Sequence, residues 1–135
     1  MNAIDEVYIH PLLDGRDTLP RVAKKYIEDL EKKIIELETG KIATVTGRYY
    51  WMDRDSQWHR IEAFFNVIVQ GEGFKASSAN EAIEQAYGRD ETDEHAKPTV
   101  IIDSGEPIGR VSNNDSVIFF NYRADRAREL THTFV

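Results

Sequence analysis

Three stretches of the chain end an apolar, strand-like run in arginine beside aspartate. The run VYIHPLLDGRD, residues 7–17, finishes on Arg16 and Asp17. IATVTGRYYWMDRD, residues 42–55, carries Arg48 and Arg54. SVIFFNYRADRAREL, residues 116–130, passes from an apolar quartet at 117–120 into Arg123, Ala124, Asp125 and Arg126. A guanidinium is a planar fork of permanent charge that matches the oxygens of a phosphate or carboxylate, whereas an ammonium is a looser point charge. All of the strand-tip cations are arginines. A small ligand with a phosphate, and with or without a carboxylate, is the natural guest. The aspartates would then orient the forks or handle a hydroxyl proton. The same residues admit a plainer use, in which Asp14, Asp17, Asp53, Asp55 and Asp125 hold the arginines in structural ion pairs, each contributing about 0–1 kcal/mol at an exposed position.

Other chemistries find less support. His10, His59, His95 and His132 have no H-x-x-x-H or H-E-x-x-H spacing, and the carboxylates are not grouped as a calcium loop, so no metal site is expected within the chain. DGRD and GEGF carry glycines that suit turns, but neither is a dinucleotide or Walker fingerprint. No serine sits in a nucleophile elbow. Tyr49, Tyr50 and Trp51 beside Arg48 suit either a stacking platform or plain packing beneath a loop.

The elements that must position the arginines follow from apolar spacing. Residues 7–10 suit a short strand. Thr18 with Pro20 suits a helix start, and Ala23, Tyr26, Ile27, Leu30, Ile34 and Leu37 recur at helical steps until Gly40 supplies the stop. Residues 42–46 are β-branched and suit the next strand. Asp55 or Ser56 is placed to cap a helix with Trp58, Ile61, Phe65 and Ile68 on one stripe, ended by QGEG at 70–73. Ser78 and Glu81 form a capping box for a helix to about Tyr87, GRDETDEHAK at 88–97 is a charged loop, and residues 99–102 suit a strand after Pro98. Residues 103–115 are turn-rich, 117–120 suit a last strand, and a helical pattern then runs to Val135.

Strands alternating with helices predict an α/β fold, a layered α/β/α domain with a largely parallel, mixed sheet. Ligands of such sheets meet the carboxyl ends of the strands. If the three arginine-tipped strands are parallel, their tips share one edge, and Arg16, Arg48, Arg54, Arg123 and Arg126 converge there.

The 135 residues, 41% of them hydrophobic, suit a single core. A net charge of −7 disfavours a phosphodiester partner, so no nucleic acid is expected. No apolar run approaches the roughly 20 residues of a membrane span, and no membrane partner is expected. The absence of cysteine suits a reducing, cytoplasmic setting.

DGRDT after one strand, GRYYWMDRD after the next, YGRDETDEHAKPTVI, and FFNYRADRAREL, in this order, resemble cofactor-independent (2,3-bisphosphoglycerate-independent) phosphoglycerate mutase from Val7 to the end of the chain. The resemblance implies part of the substrate-binding, or phosphotransferase, domain of a two-domain glycolytic isomerase. The other, phosphatase-like domain has no counterpart in residues 1–135; it is implied to carry two manganese ions and the phosphorylated serine, so no cofactor is expected within this chain. It further implies that Arg16 and Asp17 hold the glycerate end, with Asp17 a candidate proton carrier, and that Arg48, Arg54 and the segment Arg123, Ala124, Asp125, Arg126 are further ligands of 2-phosphoglycerate or 3-phosphoglycerate. A histidine-bearing segment expected before the first strand is absent. Entry just before a strand and exit inside a helix read as a truncated single domain, and the isolated chain is expected to be inactive. The alternatives are a stand-alone binding module for small phosphorylated acids, and a structural domain whose arginines make only ion pairs.

Overall fold

The computed structural model describes residue 4 and residues 6–52, 57–121, 128 and 130–134. Its centre is a mixed sheet. β1 (Tyr8–Ile9) and β2 (Leu12–Leu13) are two parts of one extended run, broken where Pro11 has no N–H to give a ladder. They pair in parallel with β3 (Lys41–Ile42) and β4 (Thr44–Gly47). The Pro11 carbonyl still accepts from the Thr46 amide at 3.2 Å, which keeps the register across the break. β6 (Thr99–Asp103) lies antiparallel on the other side of β4, and β5 (Phe74–Ala76) runs parallel to β6 beyond it. β7 (Glu106–Pro107) folds back on the end of β6.

Helices cover both faces. On β6, Val100 and Ile101 are neighbours, so their side chains point to opposite sides of the sheet. Ile101 joins a core with Val45, Ile27 of α1 (Ala23–Leu37) and Ile83 of α4 (Ala79–Gly88). Val100 joins a second core with Trp51 of α2 (Arg48–Trp51), Phe64 of α3 (Trp58–Phe65), Val67 and Leu130. The result is the α/β/α layering that the alternation of elements predicts, with parallel pairings at β1–β3, β2–β4 and β5–β6.

Several local expectations are corrected. α1 begins at Ala23 rather than near Thr18, because its first amides find their acceptor in a distant side chain: Asp93 Oδ2 accepts from the Val22 and Ala23 amides at 2.9 Å each. The helix ends at Leu37, with Glu38 in the left-handed region and Gly40 following at φ 94°. Tyr26 and Leu37 stay exposed, off the buried stripe. After α3 the backbone widens into one π-helical turn, Asn66–Gln70; Ile61 and Ile68 of the expected stripe are buried, with Phe64 and Val67 beside them in place of Phe65, and Trp58 remains exposed. Gly71, at φ 70°, closes it within the expected QGEG stop. The capping box of α4 forms, Ser78 Oγ accepting from the Glu81 amide at 3.1 Å, although Glu81 reaches back to the Ser77 amide at 2.6 Å rather than to that of Ser78.

The largest correction concerns residues 117–120, which form no strand. An apolar β-branched run has strand propensity, but a strand exists only with a ladder partner, and no described strand pairs with it. Ile118 and Phe120 are exposed, whereas Phe119 turns onto the second core beside Phe134 at 6.0 Å between ring centroids. The helical pattern also stops before Val135. Residues 130–132 are helical, then the Thr133 and Phe134 amides bond three residues back while Thr133 Oγ1 donates to the Leu130 carbonyl at 2.6 Å.

Candidate functional site

Because β2 and β4 are parallel neighbours with Leu13 opposite Gly47, the residues that follow each strand emerge side by side. Asp14, Arg16 and Asp17 follow β2, and Arg48 follows β4. Gly15 turns the first segment at φ 69°. There Asp14 Oδ1 accepts long bonds from the Arg16 and Asp17 amides, both at 3.4 Å, so the aspartate folds the turn around itself.

Arg48 is the centre of this edge. It is 8% exposed, an unusual burial for a guanidinium, and Nη1 donates to both Asp14 Oδ1 and Asp17 Oδ2, the latter at 2.7 Å. Burial acts to lower its pKa, but the hydrogen bonds to Asp17 and Asp14 and their negative charges outweigh it and raise the pKa above the ordinary arginine value. The two carboxylates differ in setting. The Asp14 side chain is 29% exposed and that of Asp17 67%, so Asp14 anchors the fork from within while Asp17 stands at the solvent rim. Arg16 is largely exposed and reaches Glu94 at 3.9 Å.

Of the expected arginines, Arg16 and Arg48 follow neighbouring parallel strands, but their side chains take different partners, Glu94 for Arg16 and Asp14 with Asp17 for Arg48. Arg16, Asp17 and Arg48 share the carboxyl edge of β2 and β4, whereas Arg54, Arg123, Ala124, Asp125 and Arg126 lie outside the described residues. The plainer use of Asp17, an ion pair with an arginine, is present: its carboxylate holds Arg48, while Asp93 caps α1. Tyr49, Tyr50 and Trp51 pack rather than present a platform. Trp51 is buried with its indole N–H 3.4 Å from the Leu13 carbonyl, and Tyr49 lies between the Arg60 guanidinium at 3.9 Å and the His95 ring at 5.2 Å, with Tyr50 edge-on.

Sequence reasoning passed over residues 93–96 as part of a charged loop. Asp93 is 1% exposed, and the Glu94 and Ala96 carbonyls accept from the Tyr49 and Gly47 amides at 2.9 and 2.8 Å. The available signal was composition: a loop carrying DEHA between a capped helix and a Pro-led strand is short enough to be ordered only if its polar groups are used.

Among the described residues no group of three histidines, cysteines or carboxylates is placed to hold a metal ion, and no helix is long and apolar enough to cross a membrane.

Fold and edge together define an α/β domain with an arginine–aspartate cluster at the carboxyl ends of adjacent parallel strands. The chain matches, over residues 1–135, the family model described as BPG-independent PGAM N-terminus, and it belongs to that family. The 2,3-bisphosphoglycerate-independent phosphoglycerate mutase of Clostridium novyi (strain NT) is 52% identical over 130 residues, covering 96% of this chain and 25% of the relative. That of Acetivibrio thermocellus is 51% identical over 131 residues, covering 97% and 26%. A crystal structure of Leishmania mexicana phosphoglycerate mutase at low cobalt concentration superposes with a TM-score of 0.91 at 30% identity, over 96% of this chain and 25% of that one. The chain thus spans about a quarter of the length of the relatives it matches.

Proposed function

We propose that this chain is the glycerate-holding part of a cytoplasmic, glycolytic phosphoglycerate mutase that interconverts 3-phosphoglycerate and 2-phosphoglycerate through a phosphoserine carried outside residues 1–135. The observation that carries the reading is the buried Arg48 clamped by Asp14 and Asp17 at the strand edge, in a chain of this family. In the first half-reaction the bond from phosphorus to the C3 oxygen of 3-phosphoglycerate breaks and a bond to the serine oxygen forms, the serine proton ending on the C3 hydroxyl. In the second, the C2 hydroxyl attacks the phosphoserine and loses its proton while the serine regains one. The glycerate must stay bound and turn between the two steps.

Arginine forks on the glycerate carboxylate suit that retention, because two parallel charge-assisted bonds fix a planar group without covalent attachment. Arg16, Arg48, Arg54, Arg123 and Arg126 supply these contacts, and Ala124 and Asp125 complete the glycerate-holding segment between the last two. Asp17, at the rim, accepts and returns the hydroxyl proton. Closure of the remaining domain over this edge excludes water from the phosphoenzyme. The two manganese ions of the full enzyme belong to that other domain, and the described residues here do not gather a ligand set for them.

The test compares the 135-residue chain with the full-length enzyme, each supplied with manganese. The full-length protein is expected to interconvert the two phosphoglycerates. The isolated chain is expected to show no turnover and to bind 3-phosphoglycerate with a dissociation constant on the order of millimolar, because an open half-site must order its arginines on binding. Turnover by the purified chain alone, or a full-length protein without mutase activity, overturns the reading.

A further inference from the structure

From the packing of residues 93–96 we infer that this segment sets the spacing between the two turns that carry the site, with Asp93 as a positioning residue for Asp17 and Arg48. The inference rests on the glycerate-holding reading above and adds to it a residue that touches no substrate. Asp93 fastens the segment that leads from the first turn into α1. Its amide donates to the Pro20 carbonyl at 2.8 Å, Oδ2 takes the Val22 and Ala23 amides, and Oδ1 takes the Tyr87 hydroxyl at 2.5 Å. The second turn is fastened by the same backbone, through the Gly47 and Tyr49 amides.

Both turns approach this segment more closely than any side chain would allow. A Cβ on Gly15 would stand 2.5 Å from the Glu94 nitrogen and 2.9 Å from Asp93 Cβ, and one on Gly47 would stand 2.6–2.7 Å from the Glu94, Ala96 and Asp93 backbone. Two glycines, Gly15 in the turn after β2 and Gly47 at the end of β4, thus seat on the backbone of residues 93–96, and Asp14, Asp17 and Arg48 are close to them in sequence. A buried carboxylate that takes two amides on one oxygen and a hydroxyl on the other is held at both oxygens, so it has little freedom to shift. Movement of residues 93–96 moves both turns, and the distance between Asp17 and Arg48 moves with them.

The test uses the full-length enzyme carrying Asp93→Ala, Asp93→Asn or Tyr87→Phe, with Ile83→Val as a core variant remote from the site. The readouts are melting temperature, kcat, KM for 3-phosphoglycerate, and the fraction of turnovers that release inorganic phosphate instead of 2-phosphoglycerate. Asp93→Ala is expected to raise KM about tenfold and to increase phosphate release severalfold, since loosely held glycerate leaves before the second transfer. Asp93→Asn keeps an oxygen for the Val22 and Ala23 amides and is expected to recover most of both. Tyr87→Phe is expected to shift KM and phosphate release in the same direction by a smaller factor, and it supplies the answer if Asp93→Ala does not fold. Variants that lose melting temperature as Ile83→Val does, with KM and product partition unchanged, overturn the inference. A wild-type enzyme without mutase activity is a separate result and removes the functional reading itself.

Discussion

Arg48 Nη1 lies 2.7 Å from Asp17 Oδ2, and the two residues are 31 positions apart in sequence. One belongs to the turn after β4 and the other to the turn after β2, so their meeting is a direct product of the parallel pairing of Leu13 with Gly47. The pair orients an arginine fork at the carboxyl edge of the sheet, with a second carboxylate, Asp14, on the same nitrogen. A guanidinium held in this way loses less freedom when it binds an anion than a solvated one would.

Arg48→Lys in the full-length enzyme tests the fork. An ammonium on a flexible stem does not bridge two carboxylates in one plane. The expected result is a fall in kcat/KM of about 10²-fold and a stability loss of about 1–2 kcal/mol, limited because Asp17 is well solvated. Steady-state kinetics and urea unfolding measure the two effects. A variant with wild-type kcat/KM would show that Arg48 only links the turns.

Asp17→Asn separates proton transfer from scaffolding. The amide oxygen still accepts from Arg48, so folding and KM are expected to change little, while kcat falls by ~10²–10⁴ if the carboxylate carries the hydroxyl proton. A folded Asn variant with unchanged kcat assigns Asp17 to holding Arg48 alone.

Gly47→Ala tests the close approach behind the site. The new Cβ would stand 2.6 Å from the Glu94 carbonyl oxygen and 2.7 Å from the Ala96 nitrogen, both backbone atoms that cannot swing aside as a side chain would. Overpacking of this kind costs about 1–3 kcal/mol. Urea unfolding is expected to show that loss, and an unchanged midpoint would mean that residues 93–96 yield easily.

His10 gives a pH dependence with a defined sign. It sits at the break between β1 and β2, its Nδ1 2.9 Å from Thr44 Oγ1, and burial lowers its pKa from 6.5 to about 4. Between those values the unfolded chain binds a proton that the folded chain refuses. The contribution of neutral His10 to stability is therefore complete above about pH 6.5 and is lost progressively as pH falls toward 4, by up to about 3 kcal/mol. His10→Asn retains a hydrogen-bonding partner for Thr44 without a titrating ring. Urea midpoints from pH 4 to 7 should be flatter for the variant than for the wild type; parallel curves would contradict the assignment.

Much of this molecule was legible in its residues because the signals are local. The spacing of Ala23, Ile27, Leu30 and Ile34 marks α1, Ser78 with Glu81 marks the start of α4, and the β-branched run at 42–46 marks the strand that leads to Arg48. β5 was missed because FKA, following two glycines, has neither length nor alternation to mark it, and it exists only because the Pro98 carbonyl and β6 offer it partners. The quartet at 117–120 was misread for the converse reason: its propensity is for a strand, but pairing is a property of a neighbour.

At the site the division is the same. By itself the sequence determined that arginine and aspartate would stand together at strand ends, and their types set what chemistry they can do, since guanidinium and carboxylate carry fixed charge and geometry wherever they are placed. Only the tertiary structure decided which of them meet. The parallel register of β2 and β4 brought Arg48 to Asp17 and Asp14 and left Arg16 facing Glu94. It also buried Asp93 as the cap of a helix 70 residues earlier. A local propensity acts over one or two turns of chain, whereas these contacts depend on where the sheet places distant backbone, and that is settled only when the whole core packs.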